Sequence, residues 1–283
     1  MNRELTQNTP EWLELRRKKI GASDAPIILE VSPWKTPYQL WLEKTTGAST
    51  PMSPHQKRGH DLEEPARRVF EKKTGLVMFP KVMLHPSHHW MMASLDGIDI
   101  DGKAIVEIKC PGQADHDLAK AGAVPEKYFP QLQHQLAVTG LKMMFYFSFD
   151  GTNGAIVEVE RDNAYIANMV ELEKIFWQCL ESCTPPSMNE RDFVNHDEET
   201  WLETSQKWLT IHEQLETLGK EEKALRESLI QMAGAHNAIG GGIRVTRSLR
   251  KGNVQYGKIP ELQDLDIEQY RKEPSEVWRL TAV

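Results

Sequence analysis

The sequence predicts an α/β (α+β) fold: a mixed central sheet flanked by helices, then a C-terminal extension of one long helix and a β-hairpin. Segments with helical spacing open the chain, apolar β-branched runs follow from about residue 76, and a helix then precedes two further strands. The run Thr184-Pro185-Pro186-Ser187 closes this series, and beyond it the composition shifts to a long acidic helix. The expected domains are residues 1–187 and 188–283.

Residues 9–19 read as a helix, with Thr9 as N-cap, Pro10 at the first position and cations in the last turn. A second helix follows Ile20-Gly21-Ala22, capped by Ser23 or Asp24. Helices are expected at 37–46 and 53–74; the second carries Leu62, Ala66, Val69 and Phe70 at helical spacing. Pro65 inside it predicts a kink or a break. Strands are expected at 76–84, 90–95 and 104–109, a helix at 125–139, strands at 143–149 and 154–160, and a periodic helix at 162–182. In the extension, Leu202, Leu209, Leu215, Leu218, Leu225 and Leu229 fall near heptad spacing within a helix over 198–233. Gly240-Gly241-Gly242 lies beyond that helix and would stop it. Ile243 to Lys251 then alternates as a strand, which Gly252-Asn253 turns back through Val254-Gln255-Tyr256. From Ala235 to Pro260 there are five Lys/Arg and no Asp or Glu, a surface for a DNA backbone or a partner protein.

The chain has 283 residues, 40% hydrophobic and 27% charged, enough for a sizeable core. No stretch approaches the about 20 apolar residues of a membrane span. The N-terminus, Met1-Asn2-Arg3-Glu4, is polar and lacks an apolar signal region. Three cysteines cannot all pair within the chain, which fits a reducing compartment, so the expected location is cytoplasmic. The net charge of −7 argues against non-specific adhesion to nucleic acid but leaves room for a local basic groove.

The chemistry concentrates at residues 94–111. Ser94-Leu95-Asp96-Gly97 ends a short run at a glycine turn, and Ile105-Val106-Glu107-Ile108-Lys109-Cys110-Pro111 is an apolar strand. Alternation on that strand points Glu107 and Lys109 the same way and Ile108 into the core. If the two segments pair, two carboxylates and an ammonium meet at one strand end. Asp96 and Glu107 are hard oxygen ligands suited to Mg²⁺, to which the Ile108 carbonyl adds another. Such an ion polarises a phosphodiester and helps generate hydroxide, and Lys109 holds the attacking water or neutralises developing charge. The competing reading is a surface hairpin with weak cross-strand ion pairs. Val106 and Ile108 argue for a buried strand, where Glu and Lys are rare unless paired or functional.

Several ordered motifs over residues 10–182 resemble the restriction-endonuclease-like, PD-(D/E)xK nucleases, and within them the phage lambda exonuclease and YqaJ-type viral recombinase family. They are Trp12-Leu13-Glu14-Leu15-Arg16 with Ile20-Gly21-Ala22-Ser23-Asp24, then Arg58-Gly59-His60-Asp61-Leu62-Glu63, then Ala93 to Gly97, Glu107 to Pro111, and Tyr128-Phe129-Pro130-Gln131-Leu132-Gln133. The resemblance implies a restriction-endonuclease-like core in which Asp96, Glu107 and Lys109 are the catalytic triplet. It implies Glu63 completing a metal shell with Asp96, Glu107 and Ile108, Gln131 near the nucleophilic water, and Tyr128 one turn before it. It implies Arg16, Ser23 and Ser94 holding a terminal 5′-phosphate. A guanidinium fork and a serine near a helix start suit that anion independently. Two Mg²⁺ ions per site are implied, with Mn²⁺ as substitute. So are double-stranded DNA ends as substrate, a trimeric ring, a single-strand annealing protein as partner, and a phage or prophage origin in a bacterial host. One departure stands out: where the family pattern has a phosphate-contacting arginine six residues past the motif lysine, this chain has Asp115, leaving Lys103, Lys120 or Lys127 to compensate.

Each of these residues has a plainer reading. Glu64 competes with Glu63, Ser23 is an ordinary N-cap candidate, and Gln131 and Gln133 suit a polar surface. Trp34, on the loop after the second helix, either packs or stacks on a base. His85, His88 and His89 read as solvated turn residues rather than a zinc site. The expected function is a metal-dependent 5′→3′ exonuclease leaving 3′ overhangs for recombination. An endonuclease or structure-selective nuclease of the same fold, and a non-catalytic DNA-end scaffold, are its rivals.

Overall fold

In a computed structural model, the described residues are 7, 9–48, 51–262, 265, 270, 272, 277, 278 and 280–282. The polar Met1 to Glu4 segment lies outside them. The chain divides into two compact units, residues 1–193 and 194–283. Residues 188–193 fall in the first because they are fastened to it. Asp192 accepts from the Thr36 hydroxyl, and the Arg191 guanidinium donates to the carbonyls of Ser32 and Pro33 at 3.1 and 3.0 Å.

Helix α1 (Pro10–Arg17) begins where Thr9 Oγ1 accepts from the Trp12 amide, and Pro10 tolerates the first position because its missing N–H has no partner to lose. Strand β1 (Ile20–Gly21) leads through a 3₁₀ turn (Ala22–Asp24) into the short helix α2 (Ala25–Ile28). Neither Ser23 nor Asp24 caps α2 with its side chain. Asp24 turns back to the Gly21 amide at 2.9 Å, and Ser23 is engaged elsewhere. Helix α3 (Pro37–Thr46) has a Thr36 capping box and ends at Gly47 in the left-handed region. Helix α4 (Pro54–Thr74) runs through Pro65 without a break. Pro65 and Asp61, whose carbonyl it leaves unpaired, both lie on the exposed side, so water can satisfy that carbonyl.

Among the described residues of this unit six strands form one sheet: β1, β2 (Met78–Leu84), β3 (Met91–Asp99), β4 (Ile105–Lys109), β5 (Met143–Phe149) and β6 (Gly154–Glu160). The order is β1-β3-β4-β5-β6, with β2 also on β3; β1–β3 and β4–β5 are parallel and the other pairs antiparallel. Strand β3 passes straight through Gly97 instead of turning there. A Cβ at Gly97 would come within 2.7 Å of Met78 Cβ and 2.9 Å of Val106 Cγ1, so the glycine allows close strand packing.

Helices α5 (Gln113–Lys120), α6 (Phe129–Thr139) and α7 (Asn163–Glu181) complete the unit. α5 was not foreseen; at eight residues it has only His116 and Ala119 buried. One core layer joins β3, β4 and β5 to α2, α6 and α7 through Ile28, Leu95, Ile105, Leu132, Tyr146 and Met169; the other packs Ala66 and Phe70 of α4 on Val106, Ile108 and Phe147. His134 of α6 is buried between Glu173 Oε1 of α7 at 2.7 Å and the Met92 carbonyl at 3.0 Å. Both partners are acceptors, so the ring carries both protons. Burial opposes that charge, but the Glu173 charge and hydrogen bond outweigh it and raise the His134 pKa.

The second unit holds helix α8 (Glu199–Ala233) and strands β7 (Ala238–Gly240) and β8 (Ile243–Val245). Its hairpin turns at Gly241–Gly242, both at positive φ (56° and 81°), as a two-residue turn requires. The expected hairpin over 243–256 is therefore displaced. The glycines form the turn rather than merely stopping a helix, and residues 246–255 form no strand. Among the described residues no helix is long and apolar enough to cross a membrane.

Candidate active site

Antiparallel register places Gly97 opposite Val106 and so carries Asp96 beside Glu107. Asp96 Oδ2 accepts from the Ile108 amide at 2.8 Å. Val106 and Ile108 point into the α4 layer. Glu107 points to α6, where it is 2% exposed yet fully hydrogen-bonded. Its Oε1 accepts from Lys109 Nζ at 2.6 Å and Gln131 Nε2 at 2.5 Å, and its Oε2 accepts from Gln135 Nε2 at 2.5 Å. The β4 strand and the α6 helix thus meet through one carboxylate.

Opposite charges crowd together here out of water. Burial, then Glu107 and Glu63 nearby, push the Asp96 carboxyl well above the usual range, against Lys109 and the Ile108 amide. Burial would lower the Lys109 pKa, but Glu107 and Asp96 beside it raise it, so the ammonium stays charged. Burial pushes the neighbouring Cys110 thiol up to about 11, which leaves it unreactive. Glu63 lies on the α4 face toward Asp96 and pairs with Arg67 at 3.2 Å, whereas Glu64 pairs with Arg68 in solvent.

The four expected metal ligands are not gathered as a closed set: among the described residues no group of three or more His, Cys, Asp or Glu stands ready to hold an ion. The Glu107 oxygens are taken by three donors, the Ile108 amide holds Asp96, and Glu63 turns to Arg67. The donor chemistry nonetheless fits a hard divalent cation. Burial, and then the neighbouring Glu107 and Glu63 carboxylates, raise the Asp96 pKa, and a bound cation would offset the repulsion among the three.

A second cluster adjoins through the parallel β1–β3 pairing, which sets Ile20 and Gly21 against Met91 and Met92. Arg16 Nη2 donates to Ser23 Oγ at 2.8 Å, and Trp12 Nε1 donates to Ser94 Oγ at 2.9 Å. Guanidinium and indole only donate, so both serine oxygens accept and each hydroxyl hydrogen is left to point at an acceptor. The Arg16 guanidinium sits over the Trp12 ring at 5.2 Å. Below it, Asp24 forms a buried 2.7 Å ion pair with Lys44. Burial opposes the Asp24 charge, but Lys44 and Arg16 hold its pKa below the usual value.

The third cluster is aromatic. Trp34, 65% exposed, stacks on Tyr128 (6.2 Å, 26°), which stacks on Tyr146 (6.1 Å, 30°). Lys109 Nζ lies 5.5 Å from the Tyr128 ring centre. Lys127 lies 5.2 Å from Trp34 and 5.4 Å from Tyr128, and its ammonium pairs with Asp115 at 2.7 Å. Of the three lysines weighed against Asp115, Lys127 alone is paired to it; Lys103 and Lys120 pair with exposed Asp101 and Asp117.

Gln133 is neither surface nor site: it is buried, donates to the Glu160 carbonyl at 2.8 Å and accepts from the Asp162 amide at 2.9 Å. His85 accepts from the Ser87 and His88 amides and closes a turn. The residue pattern does not single out Trp12 or Gln135 as site groups. For Gln135 the usable signal was its position one helical turn past Gln131.

A mixed sheet bearing Asp and Glu on adjacent antiparallel strands, under a glutamine-bearing helix, defines the lambda-exonuclease-like class of α/β folds. Residues 11–142 match the YqaJ-like viral recombinase domain. It is similar to the YqaJ protein of Bacillus subtilis (strain 168), 35% identical over 176 residues. That match covers 59% of this chain, and the chain spans about half (54%) of that relative's length. Among solved structures it is similar to LHK-Exo, an alkaline exonuclease from Laribacter hongkongensis, also solved in complex with dAMP. The two are 28% identical with a TM-score of 0.55, over 62% of this chain and 94% of LHK-Exo.

Proposed function

We propose that this protein is a divalent-metal-dependent 5′→3′ exonuclease that degrades one strand of linear double-stranded DNA and leaves 3′ overhangs for recombination. The observation that supports it most is the link between two clusters through β3, which carries both Asp96, beside the clamped Glu107 and Lys109 of β4, and Ser94, beside Trp12, whose ring lies under Arg16, itself bonded to Ser23. A pocket of donors favours an anion, and only a chain end carries a terminal phosphate. The likeness to LHK-Exo, an alkaline exonuclease, supports the same reading.

In this proposal Asp96 and Glu107, with Glu63 and the Ile108 carbonyl, hold Mg²⁺ or Mn²⁺, one or two ions. When bound, the metal supplies Lewis-acid charge to the phosphate and eases ionisation of water. Lys109 stays protonated between Glu107 and the Tyr128 ring and sets a positive charge against the anionic transition state. Gln131 fixes Glu107 from α6 and, as the family resemblance implies, would orient the attacking water. Arg16, Ser23 and Ser94 bind the terminal phosphate and so set the distance to the scissile bond. Trp34 offers a stacking surface for a base. A homotrimeric ring and a single-strand annealing partner belong to the same proposal, carried by the family resemblance.

The test is incubation of linear duplex and covalently closed circular DNA with Mg²⁺ or with a chelator. Degradation of the linear duplex alone, and only with the ion, is expected. Cleavage of the circle would make the protein an endonuclease. Binding without cleavage of either would make it a scaffold.

A further inference from the structure

We infer that Gln135 is a positioning residue for Glu107: it fixes the rotamer of a carboxylate that would serve as a ligand to the divalent ion. The inference rests on the metal-dependent reading above. Gln135 is fully buried, and its Nε2 donates to Glu107 Oε2 at 2.5 Å, on the carboxylate oxygen that neither Lys109 nor Gln131 engages. Without it, Glu107 would be held through Oε1 alone and could rotate about its terminal bond. Gln131 and Gln135 are four apart on α6, so one helix face grips both oxygens.

The other end of the same amide shows what this contact costs. Gln135 Oε1 is buried with no hydrogen-bond partner. Turning the amide over would set Oε1 against the carboxylate, oxygen to oxygen, and lose the hydrogen bond. The side chain therefore keeps an unpaired acceptor in the core to keep its donor on Glu107. Buried polar groups are seldom left so, and a residue serving packing alone would be apolar here. Groups that orient metal-binding side chains from behind typically cost about 10–100-fold in metal affinity or activity when removed.

The experiment compares wild type with Gln135→Met, which fills the space without a donor, and Gln135→Asn, which keeps an amide that cannot reach. Thermal melting reports the fold, calorimetric titration with Mn²⁺ reports metal binding, and digestion of linear duplex separates kcat from KM. Glu107→Ala defines the binding that belongs to this site. The expected result is an intact fold, Mn²⁺ affinity and kcat reduced about 10–100-fold, and KM for DNA unchanged. Mn²⁺ binding within twofold of wild type in either folded variant would overturn the inference. Loss of fold in both would also overturn it and make Gln135 a packing residue. If wild type binds Mn²⁺ through Glu107 but cuts no DNA, the nuclease reading fails while the positioning of Glu107 is still scored by binding.

Discussion

In the proposed mechanism Lys109 is the residue on which the chemistry turns. It is charged because two carboxylates face it, and removal leaves Glu107 still held by Gln131 and Gln135. Lys109→Ala is therefore expected to fold normally and to cut DNA about 10²–10³-fold more slowly, the usual loss for one charge-stabilising donor; melting and single-turnover digestion check both halves. Trp12→Phe is the matching test of the pocket. It keeps the ring and removes the N–H that fixes Ser94, so the ratio of rates on 5′-phosphorylated and 5′-hydroxyl ends should fall while the slower rate holds. The grouping of Asp96, Glu107 and Lys109, the proposed catalytic triplet, is legible because it lies on one strand and its neighbour, within fourteen residues of sequence. Trp12 and Gln135 are not, because their partners lie 82 and 28 residues away and only the fold brings them together.

At the scale of elements, strand pairing carries the geometry. Gly97 lets β2, β3 and β4 close around Asp96; Gly97→Ala is expected to destabilise the protein by about 1–3 kcal/mol through overpacking, read from the denaturant midpoint, and to slow cleavage. Helix α6 is fastened to α7 and β3 by His134. Its pKa is raised above the unfolded value of about 6.5, so the stability from this ion pair is fully present below that pH and is lost as pH rises through the folded value. The stability gap between wild type and Glu173→Gln should be widest below pH 6.5 and shrink as the solution becomes alkaline. A gap that widens with pH would contradict the assignment. Strands β5 and β6 are readable to the residue because β5 is a nearly continuous apolar and aromatic run, β6 ends in a buried–exposed alternation, and a polar turn separates them. The C-terminal hairpin was misplaced because two glycine turns compete there. Gly241–Gly242 wins, since both of its central residues tolerate positive φ, whereas Gly252-Asn253 offers one glycine. Helix α5 escaped notice because eight residues are too few for a clear apolar period.

For the whole molecule, the family domain covers residues 11–142 and the likeness to LHK-Exo covers 62% of the chain. Both are shorter than the chain. The unit beginning at Val194 brings a 35-residue helix and a short hairpin followed by basic residues. With a net charge of −7, the proposed DNA substrate would be met by local groups, Arg16 and Lys127 among them. The central claim is that these groups read a chain end. The most direct test is digestion, with Mg²⁺, of one linear duplex whose two 5′ ends carry different labels, one phosphorylated and one hydroxyl. Faster loss from the phosphorylated end, abolished by Arg16→Ala, is the predicted result. Equal loss from both ends in wild type would contradict it.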